Sequence, residues 1–147
     1  MNHKPQPALI ALVLLSTGLL ASQVHAHGVT NQPLGAAVGA TDYYQVKCAN
    51  TGTGNAARLE VQIRDDTAGA ALLSAQVQKG LFAVNTTDPT GGDDNYSPLV
   101  AVAGGNGIYD VTVNKTTATG RQYDLEYHCI TKNNAHAGTT ISQKQNQ

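Results

Sequence analysis

Charge is scarce in this chain. Asp, Glu, Lys and Arg make up 13% of its 147 residues, nine basic against ten acidic, where a soluble domain usually carries about a quarter. No basic field exists to meet a phosphate backbone, which argues against nucleic acid as a partner. Tryptophan is absent and phenylalanine occurs once, so six tyrosines carry most of the aromatic content and no sugar platform is suggested. Met1 is the only methionine, leaving no thioether set for a copper(I) site. No G-x-S-x-G, H-E-x-x-H, Walker or strand-to-helix glycine motif is present. Ser74, Ser97 and Ser142 lack any local signature, and no enzyme is expected.

The longest apolar run, Ala8 to Ala21, covers 14 residues, short of the roughly 20 that a membrane-spanning helix needs. Polar MNHKPQP precedes it, and SQVHA follows with Val24 and Ala26 at the small-residue positions a signal peptidase reads. This is the layout of a secretory signal peptide over 1–26, with cleavage after Ala26. The expected product begins His27-Gly28-Val29 and keeps eight basic and ten acidic side chains, a formal charge of −2. It is expected in the periplasm or outside the cell, with no membrane insertion once the signal is removed. Its partner is expected to be a protein of that compartment or a second copy of itself.

Cys48 and Cys129 are the only cysteines, 81 positions apart. In an exported chain without a CxxC such a pair reads as a disulfide. Closing so wide a loop is worth roughly 4 kcal/mol in the chain-entropy model.

The period of the apolar residues is two. Leu59, Val61 and Ile63 alternate with Arg58, Glu60, Gln62 and Arg64, and the same rhythm runs through Tyr44-Val46-Cys48, Tyr109-Val111-Val113 and Tyr123-Leu125-Tyr127-Cys129. These are half-buried strands, and both cysteines lie on apolar faces. Ala68 to Lys79 reads as a short helix or an edge strand, Thr86 to Asn95 as a long loop, and SPLVAVA as a further strand. Strands 109–114 and 123–129, joined through Gly120, suggest an antiparallel hairpin. Six to eight short strands with no long helix point to an all-β fold, a small antiparallel sandwich over 27–132 with one inter-strand disulfide. The tail 133–147 is polar and lacks a core pattern, with GTTIS as material for one short edge strand.

Asp42 to Tyr44, GNGIYDVTV at 105–113 and YDLEY at 123–127 resemble strands of the bacterial pre-peptidase C-terminal type of β-sandwich. The resemblance covers about residues 40–130 and implies an accessory or secretion-associated domain. The aspartate-rich strand core usual in that family is not evident, and fold-level likeness does not assign a function.

Two metal sites suggest themselves. With cleavage after Ala26, the α-amine and imidazole of His27 chelate one copper ion together, nitrogen donors being well suited to copper. His128 is the best second ligand, with Glu126 and Asp124 on the same face of its strand. Glu126 and His128 are an i,i+2 pair roughly 6–7 Å apart. His136 reads as an incidental tail residue, although the tail could bring it in. Copper-binding sandwiches of the periplasmic copper-resistance type are similar in size, expected fold and initial histidine. The second site is the DPTGGDDN loop, where Asp88, Asp93, Asp94 and Asn95 offer oxygen ligands to calcium, without the spacing of an EF-hand. Such a loop more often uses Asp and Asn to fix tight turns. Tyr43 and Tyr96 are the tyrosines free to contact a ligand; the other strand tyrosines face inward. The leading expectation is a non-catalytic secreted sandwich acting as a binding or structural accessory module. The alternative is a periplasmic copper-binding protein that chelates through His27.

Overall fold

Alternation at every second residue dictates pleated strands with one apolar face, and such faces are buried by stacking two sheets. A computed structural model describes residues 27–147; the expected signal segment lies outside the described residues. Nine strands follow one another: β1 Gly28–Leu34, β2 Thr41–Ala49, β3 Ala56–Asp65, β4 Leu73–Lys79, β5 Phe82–Asp88, β6 Val100–Ala103, β7 Gly107–Lys115, β8 Arg121–Thr131 and β9 Gly138–Gln145. One sheet has the order β1-β8-β3-β6 and the other β5-β4-β7-β2-β9. Every pairing is antiparallel.

The inward sets are those the alternation marks. Tyr44, Val46 and Cys48 from β2 and Tyr109, Val111 and Val113 from β7 face Leu59, Val61 and Ile63 from β3 and Tyr123, Leu125, Tyr127 and Cys129 from β8, all buried in one cluster. Leu73, Ala75 and Val77 of β4 join them. Cys48 and Cys129 form a disulfide with a Cα–Cα distance of 5.5 Å, joining the sheets through β2 and β8.

Three features depart from the sequence reading. Strand β4 is neither helix nor edge: it pairs with β5 on one side and β7 on the other. Its apolar residues fall on one face at period two, and β5 takes the edge. Residues 86–88, read as loop, belong to β5. The expected hairpin is absent, because β7 lies in the five-stranded sheet and β8 in the four-stranded one. Both strands carry a full row of large inward side chains. Placing them in opposite sheets lets those rows pack against each other across the interior. The C-terminal segment, for its part, adds a strand longer than GTTIS: β9 pairs with β2 from Tyr43↔Gln145 to Ala49↔Gly138.

Polar groups inside the sandwich are matched. Arg121, at the start of β8, is 5% exposed and Asp65 is fully buried. Its Nε donates to both Asp65 carboxylate oxygens at 3.1 and 2.9 Å, and its Nη2 donates to Asp65 and to the Thr67 carbonyl. Between the sheets, the Tyr44 and Tyr123 hydroxyls lie 2.6 Å apart and Tyr123 donates to Asp42 at 2.6 Å, while exposed Gln143 of β9 donates to the Tyr44 hydroxyl at 3.2 Å. Burial pushes Tyr44 up to about 12. Burial, together with the hydrogen bonds to Asp42 and Tyr44, raises Tyr123 further.

Candidate metal centre

Strand β8 is central to its sheet, between β1 and β3, and its last turns of alternation place Tyr127 and Cys129 inward and His128 on the other face. On that outer face His128 stands opposite Glu60 of β3, Glu126 opposite Gln62 and Asp124 opposite Arg64. Beyond Thr131 the chain reverses. Asn134 adopts a left-handed φ of 60°, Ala135 N–H donates to Thr131 Oγ1 at 3.1 Å, and His136 bridges back to Ile130. The reversal returns position 136 beside the strand that holds His128. At the same end, the His27 carbonyl accepts from Tyr127 N–H at 2.9 Å, which docks the chain just ahead of β1 against β8.

His27, about a hundred positions earlier in the chain, therefore converges with His128 and His136. Ligand-capable nitrogens of His27, His128 and His136 lie within 4.8 Å of one another. The ring centroids are separated by 6.1 Å (27–128), 6.4 Å (27–136) and 5.0 Å (128–136). These are the only histidines from residue 27 onward, and no other group of three or more such ligands occurs among the described residues. All three are half-buried. The Nδ1 atoms of His27 and His128 are buried and have no hydrogen-bond partner in the protein. Burial first, and then His136 beside it, hold the His128 imidazole below its ordinary range, with Glu126 and Glu60 opposing. A buried imidazole kept neutral with a free lone pair is the form that ligates a metal.

The other predicted ligands sit elsewhere. Glu126 accepts a hydrogen bond from Gln62 Nε2 and Asp124 pairs with Arg64 at 2.6 Å. Neither carboxylate belongs to the histidine group; its third member is His136. The signal that could have found His136 is the Asn133-Asn134 pair, a turn that folds the next residues back onto the strand.

The acidic loop is built as turns. Asp88 is buried and accepts from Asp65 N–H at 2.7 Å and Thr90 N–H at 3.0 Å. Asp93 accepts from Asn95 N–H at 2.8 Å and from its side-chain amide at 3.1 Å; these bonds hold its carboxyl below the usual range. The tyrosines read as free are engaged as well: Tyr43 donates to Asp110 at 2.5 Å, and Arg64 stacks 5.1 Å over the Tyr96 ring.

Beside His27 opens a surface cavity of about 380 Å³, lined also by Lys47, Ala49, Thr51, Gly138, Thr139 and Thr140. A Cβ at Gly138 would overlap Thr51 Cγ2 and lie 3.1 Å from the Ala49 carbonyl oxygen, so a larger residue there would push Thr51 aside. No helix among the described residues is long and apolar enough to cross a membrane. No family model, curated protein or solved structure matches this chain.

Proposed function

We propose that the protein is an exported, non-catalytic module that binds one copper(II) ion through His27, His128 and His136. The observation that carries this reading is the pair of buried, unpartnered Nδ1 atoms of His27 and His128 inside a cluster of three imidazoles. A buried polar atom left unpaired costs about 1–3 kcal/mol, and two such atoms in one cluster are a cost that ligation removes. Where the chain begins at His27, its α-amine and Nδ1 belong to one chelate ring, giving four nitrogen donors with the other two rings. A nitrogen-only set suits copper(II), which also binds such ligands more tightly than zinc does. Glu126 and Glu60 then act as nearby negative charge rather than as ligands.

The test is a copper(II) titration of the processed protein, its first residue established by intact mass. Tight one-to-one binding is expected, weakened at least tenfold by His128→Ala and by one alanine added before His27. Equal binding in the extended form removes the amine from the site. Binding unchanged by any of the three histidine-to-alanine substitutions removes the reading.

A further inference from the structure

The three histidines share one support, the stretch Tyr127–Ile130 of β8. Tyr127 N–H holds the His27 carbonyl, His128 is in the stretch itself, and Ile130 is bridged to His136. The Cys129 peptide is the point where the third histidine is fastened: its carbonyl accepts from Ala137 N–H at 2.8 Å, and its N–H donates to Thr139 Oγ1 at 3.1 Å. The same Thr139 hydroxyl donates to the Ala137 carbonyl at 3.1 Å. Thr139 is also the register partner of Cys48, and Cys48 is bonded to Cys129. Disulfide and hydroxyl thus close a ring of contacts around the residue following His128 and the residues following His136. Both cysteines are buried, so the link is within the packed interior.

Resting on the copper reading above, we infer that the Cys48–Cys129 disulfide and Thr139 are the positioning elements of the histidine cluster, so that the chain takes copper(II) tightly only once it is oxidised. Reduction by a dithiol breaks the S–S bond. Two electrons and two protons pass to the cysteine sulfurs, and the dithiol leaves as its own disulfide. Strands β2 and β8, which lie in opposite sheets, then keep only core packing between them, and the Cys129 hydrogen bonds to Ala137 and Thr139 are left to hold the cluster's support alone. Its imidazoles lose the tight mutual placement that a chelating site demands, because ligands misplaced by an ångström lose most of their joint advantage. Removal of the leader and formation of the disulfide become two independent conditions for loading, both met after export.

The probe is copper(II) alone, added to processed protein and followed by binding titration and electron paramagnetic resonance. A Cys48→Ala/Cys129→Ala variant, shown folded by circular dichroism, is expected to bind at least tenfold more weakly and to give a broadened nitrogen pattern. A folded variant with unchanged affinity and spectrum overturns the inference. Should that variant fail to fold, Thr139→Val is the second probe. It is expected to alter the copper spectrum and weaken binding several-fold, with Thr139→Ser restoring both. A Thr139→Val spectrum identical to that of the unaltered protein overturns the inference. If the unaltered protein binds tightly through its histidines and these variants match it, the positioning claim alone falls. If the unaltered protein itself does not bind copper, the functional reading falls, and the inference falls with it.

Discussion

The two ends of β8 carry polar clusters of opposite character. At its start, Arg121 is buried against Asp65 and the carbonyls of Thr67 and Ala68, so the charge is paired and its donors are used. Near its end, His128 lies among two other imidazoles with its Nδ1, and that of His27, unpartnered. A paired cluster clamps strands together, whereas imidazole nitrogens grouped without partners are available to a cation. One strand thus serves as a structural bolt at one end and, in the copper reading proposed above, as a ligand-bearing arm at the other.

The largest contrast is in stability without metal. Arg121→Leu leaves the buried Asp65 carboxyl without its partner, and is expected to cost about 3–5 kcal/mol. His128→Leu is expected to change metal-free stability by less than about 1 kcal/mol. Urea unfolding of both variants checks this, and equal losses would erase the distinction between the two ends. Next comes the effect of metal. Copper(II) at about 100 times its dissociation constant is expected to add roughly 2.7 kcal/mol to the unaltered protein. It should do the same for a mild variant such as Lys144→Gln on the exposed part of β9, and add little to His128→Ala; thermal melts with and without copper read this.

A third prediction concerns the core tyrosines, which resemble the Arg121 end in being matched. Tyr123→Phe deprives Asp42 of a donor and is expected to cost about 1–3 kcal/mol. The folded pKa of Tyr44 is raised to about 12 from 10.0. The contribution of that group is therefore intact below pH 10 and lost as pH rises toward 12. Tyr44→Phe should flatten this alkaline decline. The smallest effect is at His128. Its folded pKa is lowered from 6.5, so the unfolded chain binds the proton more readily. Metal-free stability is then complete above that range and declines as pH falls below about 6.5. His128→Gln should reduce the slope in urea melts between about pH 5 and 7.

The strands themselves were legible because burial of one face writes a period of two into the sequence. Leu59-Val61-Ile63 and Tyr109-Val111-Val113 declare their faces without any knowledge of partners. The disulfide was legible for the same reason, both cysteines continuing an apolar row. Which strands become neighbours was not, since pairing between β7 and β2 rather than β8 depends on contacts distant in sequence. Arg121 gave no sign of burial, because a lone arginine at a strand start ordinarily lies in solvent. The site was half legible. His27 and His128 stood out through the expected cleavage point and the strand face, while His136 lay in a polar segment without a period. Only the reversal at Asn134, and the strand that follows it, return that histidine to the cluster.

The most direct test of the central claim is X-ray absorption spectroscopy at the copper edge on processed protein loaded with one equivalent of copper(II). A first shell made only of nitrogen, with the scattering signature of three imidazoles, is the predicted result. A shell dominated by oxygen, or one containing fewer than two imidazoles, would contradict the account.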